Sequence, residues 1–290
     1  ISQCIKHKAS YEANYPKLEI MHKKLTFFLF SLVLAYGAIQ AQTEFGPQQI
    51  IMQSEARGAY SVYSADIDGD GKNDILSASK DDDKIAWYKN EGNGNFGKQL
   101  VITTKAHEAK CVYAADIDGD GDVDVLSASS ADNKIAWYKN DGNGNFGEQL
   151  VISTHAPGAK SVYAADIDED GDMDVLSASS AVNKIAWYEN EGNSNFSNPQ
   201  VITLNADHAF SVFSADIDGD GDPDVLSASS GDDKIAWYEN DGNGNFDEQP
   251  VIDNIFYLVH SAYAADIDRD EDLDIIAIGA YSIRWYPNDG

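Results

Sequence analysis

The sequence predicts an all-β fold, a β-propeller of four-stranded antiparallel blades, and three observations predict it. The phrase DIDGDGKND at Asp66 returns as DIDGDGDVD, DIDEDGDMD, DIDGDGDPD and DIDRDEDLD, each fifty residues after the last. A constant period of that length marks a solenoid or a propeller. Each unit also divides into four short segments of strand character, and the last unit stops one segment short, while a matching segment stands alone near the N-terminus.

The first elements along the chain are not part of this repeat. Met21 opens MHKKLTFFLFSLVLAYGAIQAQ, with a basic start at His22, Lys23 and Lys24, an apolar run over 25–39 and then small and polar residues. That is the layout of a secretory signal peptide. As a helix the apolar run rises about 1.5 Å per residue, too short for a hydrocarbon core of roughly 30 Å. We therefore expect 1–20 to precede the native start, 21–41 to be an export signal and 43–290 to be the propeller. The mature protein is expected to be secreted or at the cell surface, monomeric and without an integral membrane span.

Removing 1–41 takes away five lysines and two glutamates, so the net charge of −29 moves to about −32. Nucleic acid and anionic membranes need basic patches, and this chain offers none of the required sign. Only Cys111 remains after the signal. It stands where the other units carry Ser61, Ser161, Ser211 and Ser261, as expected of a small packed residue rather than a reactive thiol.

Within the units, SVYAADI, DVLSASS, KIAWYKN and QLVIS exemplify the four strands. Asn-Gly and Asp-Gly turns such as NDGNGNF favour the positive φ of tight hairpins. In KIAWYKN, Ile85 and Trp87 share one face and Ala86 and Tyr88 the other, so both faces are apolar, as sheets packed between two neighbours require. Trp87, Trp137, Trp187, Trp237 and Trp285 are accordingly expected between blades. The N-terminal segment EFGPQQIIM from Glu44 matches FGKQLVI at Phe96 and FGEQLVI at Phe146. Paired onto the last three strands it would close a five-blade ring and cover both sheet edges. A fragment of a larger propeller, for instance of seven blades, would show the same ends.

The Asp-rich loops are the candidate sites. In the first, acids occupy positions 1, 3, 5 and 9 (Asp66, Asp68, Asp70 and Asp74), with Gly71 at 6 and Lys72 at 7. Alternate positions of a curled loop face one centre, and a glycine at position 6 permits the turn that brings in the carbonyl of position 7. Crowded carboxylates repel one another unless a cation offsets them. Hard oxygen donors without His or Cys suit Ca²⁺ rather than Mg²⁺ or Zn²⁺. The following loops supply Asp116, Asp118, Asp120, Asp122 and Asp124; Asp166, Asp168, Asp170, Asp172 and Asp174; Asp216, Asp218, Asp220, Asp222 and Asp224; and Asp266, Asp268, Asp270, Asp272 and Asp274. Up to five ions are expected. The fifth site should be weaker, because Glu271 replaces the turn glycine and Arg269 adds a positive charge.

The spacing D-x-D-x-D-G-x-x-D between two strands, repeated at about fifty residues over 43–290, resembles the FG-GAP and VCBS repeats of integrin-α-type propellers. The resemblance implies that the matching Asp side chains and the carbonyls of Lys72, Asp122, Asp172, Asp222 and Asp272 hold the metal. The chain departs from the pattern at Phe196-Ser and Phe246-Asp, and no clear Gly-Ala-Pro follows. Integrin heads have seven blades, so their adhesive ligand does not carry over.

The loops SEARGAY, TKAHEAK, THAPGAK, LNADHAF and DNIFYLVH, at the end opposite the Asp loops, vary most. A constant scaffold with variable loops is arranged for ligand contact. The expected function is a non-catalytic, calcium-stabilised module that binds an extracellular protein or glycan. One alternative is a multivalent lectin whose Trp-Tyr pairs stack on sugars. A second is a polysaccharide hydrolase or lyase, for which His107, His155, His208 and His260 are the candidate bases, with no partner nucleophile or unrepeated acid pair beside them.

Overall fold

The computed structural model describes residues 47–52, 54–192 and 195–290. The expected export signal and the residues before it lie outside the described residues. Among those described, no helix is long and apolar enough to cross a membrane.

Within the unit Ile50–Gly290, five antiparallel sheets of three or four strands follow one another along the chain, each ordered as its strands occur in sequence, and a two-stranded hairpin of Asn90–Gly92 and Asn95–Phe96 adjoins the first in sequence. The first comprises Ala59–Ala65, Asp74–Ser79, Lys84–Tyr88 and Leu100–Thr103. The second comprises Ala109–Ala115, Asp124–Ser129, Lys134–Tyr138 and Leu150–Ser153. Ala159–Ala165, Asp174–Ser179, Lys184–Tyr188 and Gln200–Thr203 form the third. The fourth is Ala209–Ala215, Asp224–Ser229, Lys234–Asn240 and Phe246–Glu248. Its outer strand is displaced toward the turn relative to the first three. Pro250 stands where they have Leu100, Leu150 and Gln200, and a proline cannot donate to the ladder.

The fifth sheet has three strands, Ser261–Ala265, Asp274–Ile278 and Ile283–Tyr286. Residues 47–52, expected to supply its fourth strand, form no strand. At the position where Ala86 faces Val101 in the first sheet, the fifth carries Arg284. That guanidinium is held 2.5 Å from Asp253 and lies over the Phe256 ring, 4.4 Å from its centroid. A long, anchored cation thus replaces the small residue against which an outer strand packs.

The first strands stand side by side. Tyr63, Tyr113, Tyr163, Phe213 and Tyr263 form a row with ring centroids 4.6, 4.6, 5.0 and 4.4 Å apart. Among the described residues the row is not closed into the five-blade ring expected from the strand count: at its first end Val62 is 68% exposed where its counterpart Val112 is 2%, and at its last Tyr263 is 54% exposed. Apolar clusters fill the space between successive sheets, as where Leu76, Ile85 and Trp87 meet Val112, Val125 and Tyr138 of the next repeat. Trp137 and Trp187 are buried in the same way. Trp237 is only partly covered and Trp285 is exposed.

Candidate metal centres

Each Asp loop joins the first strand of a sheet to the second. Its position-9 carboxylate is the first residue of that second strand and is fully buried: Asp74, Asp124, Asp174, Asp224 and Asp274. In the first repeat Asp74 Oδ2 accepts the Ile67 N–H at 3.1 Å and Oδ1 accepts the Asn90 N–H at 2.7 Å. The same two bonds recur in all five repeats. Burial pushes Asp124 and Asp174 up to about 7 and Asp224 up to about 6. In the fifth repeat the Asn288 N–H instead holds Asp274 below its ordinary value.

The loop curls around position 1. Asp66 accepts the N–H groups of Asp70 at 3.1 Å and Gly71 at 2.8 Å. Position 6 is left-handed throughout, with φ of 83° at Gly71, 96° at Gly171 and 81° at Glu271. The glycine requirement is therefore real, and Glu271 meets it with strain of about 1 kcal/mol or more.

This curl brings carboxylate oxygens within 4.8 Å of one another: Asp66, Asp68 and Asp70 in the first repeat, then positions 1, 3 and 9 in the others. Those are Asp116, Asp118 and Asp124; Asp166, Asp168 and Asp174; Asp216, Asp218 and Asp224; and Asp266, Asp268 and Asp274. Position 5 accepts the N–H of position 7 through Oδ1 in every repeat, at 2.9–3.2 Å from Asp70, Asp120, Asp170, Asp220 and Asp270. The side chain of position 7 runs to the neighbouring hairpin: a Cβ on Gly142 would lie 2.4 Å from Asp122, and one on Gly242 2.7 Å from Asp222. The clusters leave buried oxygens without any hydrogen-bond partner, namely Oδ1 of Asp68, Asp118, Asp166 and Asp168. An unpartnered buried carboxylate oxygen is unfavourable, and an oxygen-seeking metal ion is a group that the donor set fits. Each cluster could hold one.

The repeating unit is thus a strand, an Asp loop whose last acid starts the next strand, and a hairpin that returns to that loop. The FG-GAP-like repeat model matches 66–127, 116–177, 166–227 and 216–277. The chain belongs to the FG-GAP-like repeat family. Among solved structures, the FG-GAP repeats are similar to a lectin from Agrocybe aegerita that recognises non-reducing terminal N-acetylglucosamine. The TM-score is 0.57 at 22% identity, covering 79% of this chain and 62% of the lectin. Virginiamycin B lyase from Staphylococcus aureus gives 0.54 at 13% identity, over 85% of this chain and 75% of the lyase. A functionally unknown protein from Desulfotomaculum acetoxidans gives 0.57 at 11%, over 79% of this chain and 65% of that one. These likenesses show a propeller-like fold. No curated protein matches the chain.

The asparagine that closes each third strand was not singled out in the sequence. Asn140 is 1% exposed, and its Nδ2 donates to Val123 O of its own loop at 2.9 Å and to Ile67 O of the preceding repeat's loop at 2.7 Å. Asn190, Asn240 and Asn288 make the same pair of bonds. Each Asp loop after the first is therefore tied through its buried acid and this asparagine to the loop before it. The available signal was an asparagine always sixteen residues after position 9 in the first four repeats.

At the opposite end the variable loops share one frame. Asp83, Asn133, Asn183 and Asp233 each accept, through Oδ1, a backbone N–H from the following variable loop: Glu108, Gly158, His208 and Leu258. The four histidines fall in separate loops. His107 Nδ1 lies 2.9 Å from Asp83, and the His260 ring packs at a tilt of 52° against Phe210, centroids 4.8 Å apart. Cys111 occupies the serine position as expected: its thiol lies 3.7 Å from Val162 O, and burial raises its pKa.

Proposed function

We propose that the chain is a secreted, calcium-stabilised, non-catalytic binding module for an extracellular protein or glycan. The observation that carries it is the set of unpartnered buried oxygens on Asp68, Asp118, Asp166 and Asp168, inside loops that also hold consecutive sheets together. The residues to hold the ion are Asp66, Asp68 and Asp70 in the first repeat and positions 1, 3 and 9 in the others, together with the remaining acid of positions 5 and 9 and the backbone carbonyl of position 7. Bound calcium supplies charge neutralisation and loop rigidity. At tenfold excess over its dissociation constant one ion contributes about 1.4 kcal/mol, so several sites together approach the whole stability of a domain. The protein's own residues do the rest, since the latches pass loop rigidity from sheet to sheet and so steady the variable face.

Membership of the FG-GAP-like family and the lectin among its structural relatives support a binding role. A glycan is favoured by one feature of the variable face: Tyr257 and Tyr281 are exposed and stacked, with centroids 5.6 Å apart and planes within 6°. The repeated Trp-Tyr pair is a poorer platform, because Trp137, Tyr138, Trp187 and Tyr188 are buried.

Melting in a chelator and in millimolar Ca²⁺, with calorimetric titration, tests the metal. We expect a lower melting temperature without calcium and several bound ions. An unchanged melt with one ion or none removes calcium from the reading. A glycan array with wild type and Tyr257→Ala tests the ligand, with binding expected for the former and lost in the latter.

A further inference from the structure

The five Asp loops are not equivalent, and one difference lies at a position outside them. Because Ile75 pairs with Tyr88, the residue after that tyrosine emerges beside the loop. It is Lys89 in the first repeat, Lys139 in the second, Glu189 in the third, Glu239 in the fourth and Pro287 in the fifth. Lys89 Nζ bonds to Asp68 and lies 3.2 Å from Asp70. Lys139 Nζ bonds to Asp118 and lies 3.0 Å from Asp120. Each ammonium therefore occupies the position-3 carboxylate that belongs to the metal cluster. In the first repeat Lys72 also pairs with Asp70 at 2.9 Å.

The third and fourth repeats carry no such cation: among the described residues no lysine or arginine pairs with an acid of either loop. Glu189 and Glu239 accept from Gln200 at 3.0 Å and Gln249 at 2.6 Å. Glu169 adds a further acid to the third loop, where Asp166 and Asp168 each leave a buried oxygen unpartnered. In the first two repeats the side chains of Asp68 and Asp118 are only 9% exposed. Each has one oxygen on the lysine and the other without a partner.

We propose that Lys89 and Lys139 are resident counter-ions that compete with calcium, so that the loops load in two classes. This rests on the calcium reading above. A single positive charge on a flexible stem offsets part of the carboxylate repulsion but leaves Oδ1 unpaired; a divalent ion would offset more of it. Loading the first two loops requires the ammonium to leave, whereas the third and fourth load directly. The first two repeats consequently hold their loops without metal, and the third and fourth depend on it. The exchange is an ion displacement with no bond made or broken in the chain, and each lysine keeps its proton.

The test is Ca²⁺ titration by calorimetry, read alongside hydrogen exchange of the loops, on wild type, Lys89→Gln/Lys139→Gln and Glu189→Lys/Glu239→Lys. Wild type should show two affinity classes. In chelator, 166–174 and 216–224 should exchange faster than 66–74 and 116–124. Replacing both lysines should tighten two sites about two- to fivefold, the scale of losing one partly exposed ion pair, and make 66–74 and 116–124 calcium-sensitive. The reciprocal lysines should weaken two sites by a similar factor and protect their loops in chelator. Calcium binding that is identical in all three proteins overturns the competition while leaving the metal reading intact. No binding in any of them overturns both.

Discussion

In the third repeat Trp187 is 2% exposed and Gly171 makes the loop turn at φ 96°, whereas in the fifth Trp285 is 48% exposed and Glu271 makes the same turn at 81°. The two repeats share their first three strands, the Asp spacing and the closing asparagine. What separates them is the neighbour on the far face. Among the described residues the third sheet is covered on both sides, whereas the fifth packs against the fourth alone. A repeat of this kind cannot bury both faces alone, so stability resides in the interfaces as much as in the sheets.

The comparison can be broken most severely at the tryptophans. Trp187→Ala should cost about 3–5 kcal/mol in urea denaturation, while Trp285→Ala should cost under about 1 kcal/mol, as a surface change does. Equal losses would mean that the fifth sheet has a covering neighbour in solution. A smaller effect is expected at the latch. Asn190→Ala leaves the carbonyls of Ile117 and Met173 without their donor and should cost about 1–3 kcal/mol, measured by the same denaturation. It should also speed exchange in the loops of both the second and third repeats. Confinement of the effect to the third repeat would rule out coupling between loops. The smallest effect sharpens the turn comparison. No atom lies within 4 Å of a Cβ placed at Gly171, so Gly171→Ala tests backbone strain alone and should lower stability by about 1 kcal/mol. Glu271→Gly should raise it by a similar amount.

Much of the site was readable from spacing. Acids at alternate positions and a glycine at position 6 specify a curled loop whatever surrounds it, because the left-handed turn and the Asp-to-backbone bonds are local. The division of labour within the loop was not readable. Position 7 lies against a hairpin glycine in the second and fourth repeats, an outcome that depends on where the third strand returns. Nothing in the alternation of KIAWYKN marks Lys89 or Lys139. Only the pairing of the second and third strands sets their stems beside Asp68 and Asp118.

The sequence by itself determined the number of repeats, the strand alternation, the turn glycines and the carboxylate clusters, since each follows from interactions over a few residues or from an exact period. The tertiary structure decided which tryptophans are covered, which asparagine joins one loop to the next and that residues 47–52 do not complete the last sheet. Those outcomes depend on contacts between residues fifty or more apart, where packing and the energetic demand of buried carbonyls and carboxylates select among arrangements that the local pattern allows equally.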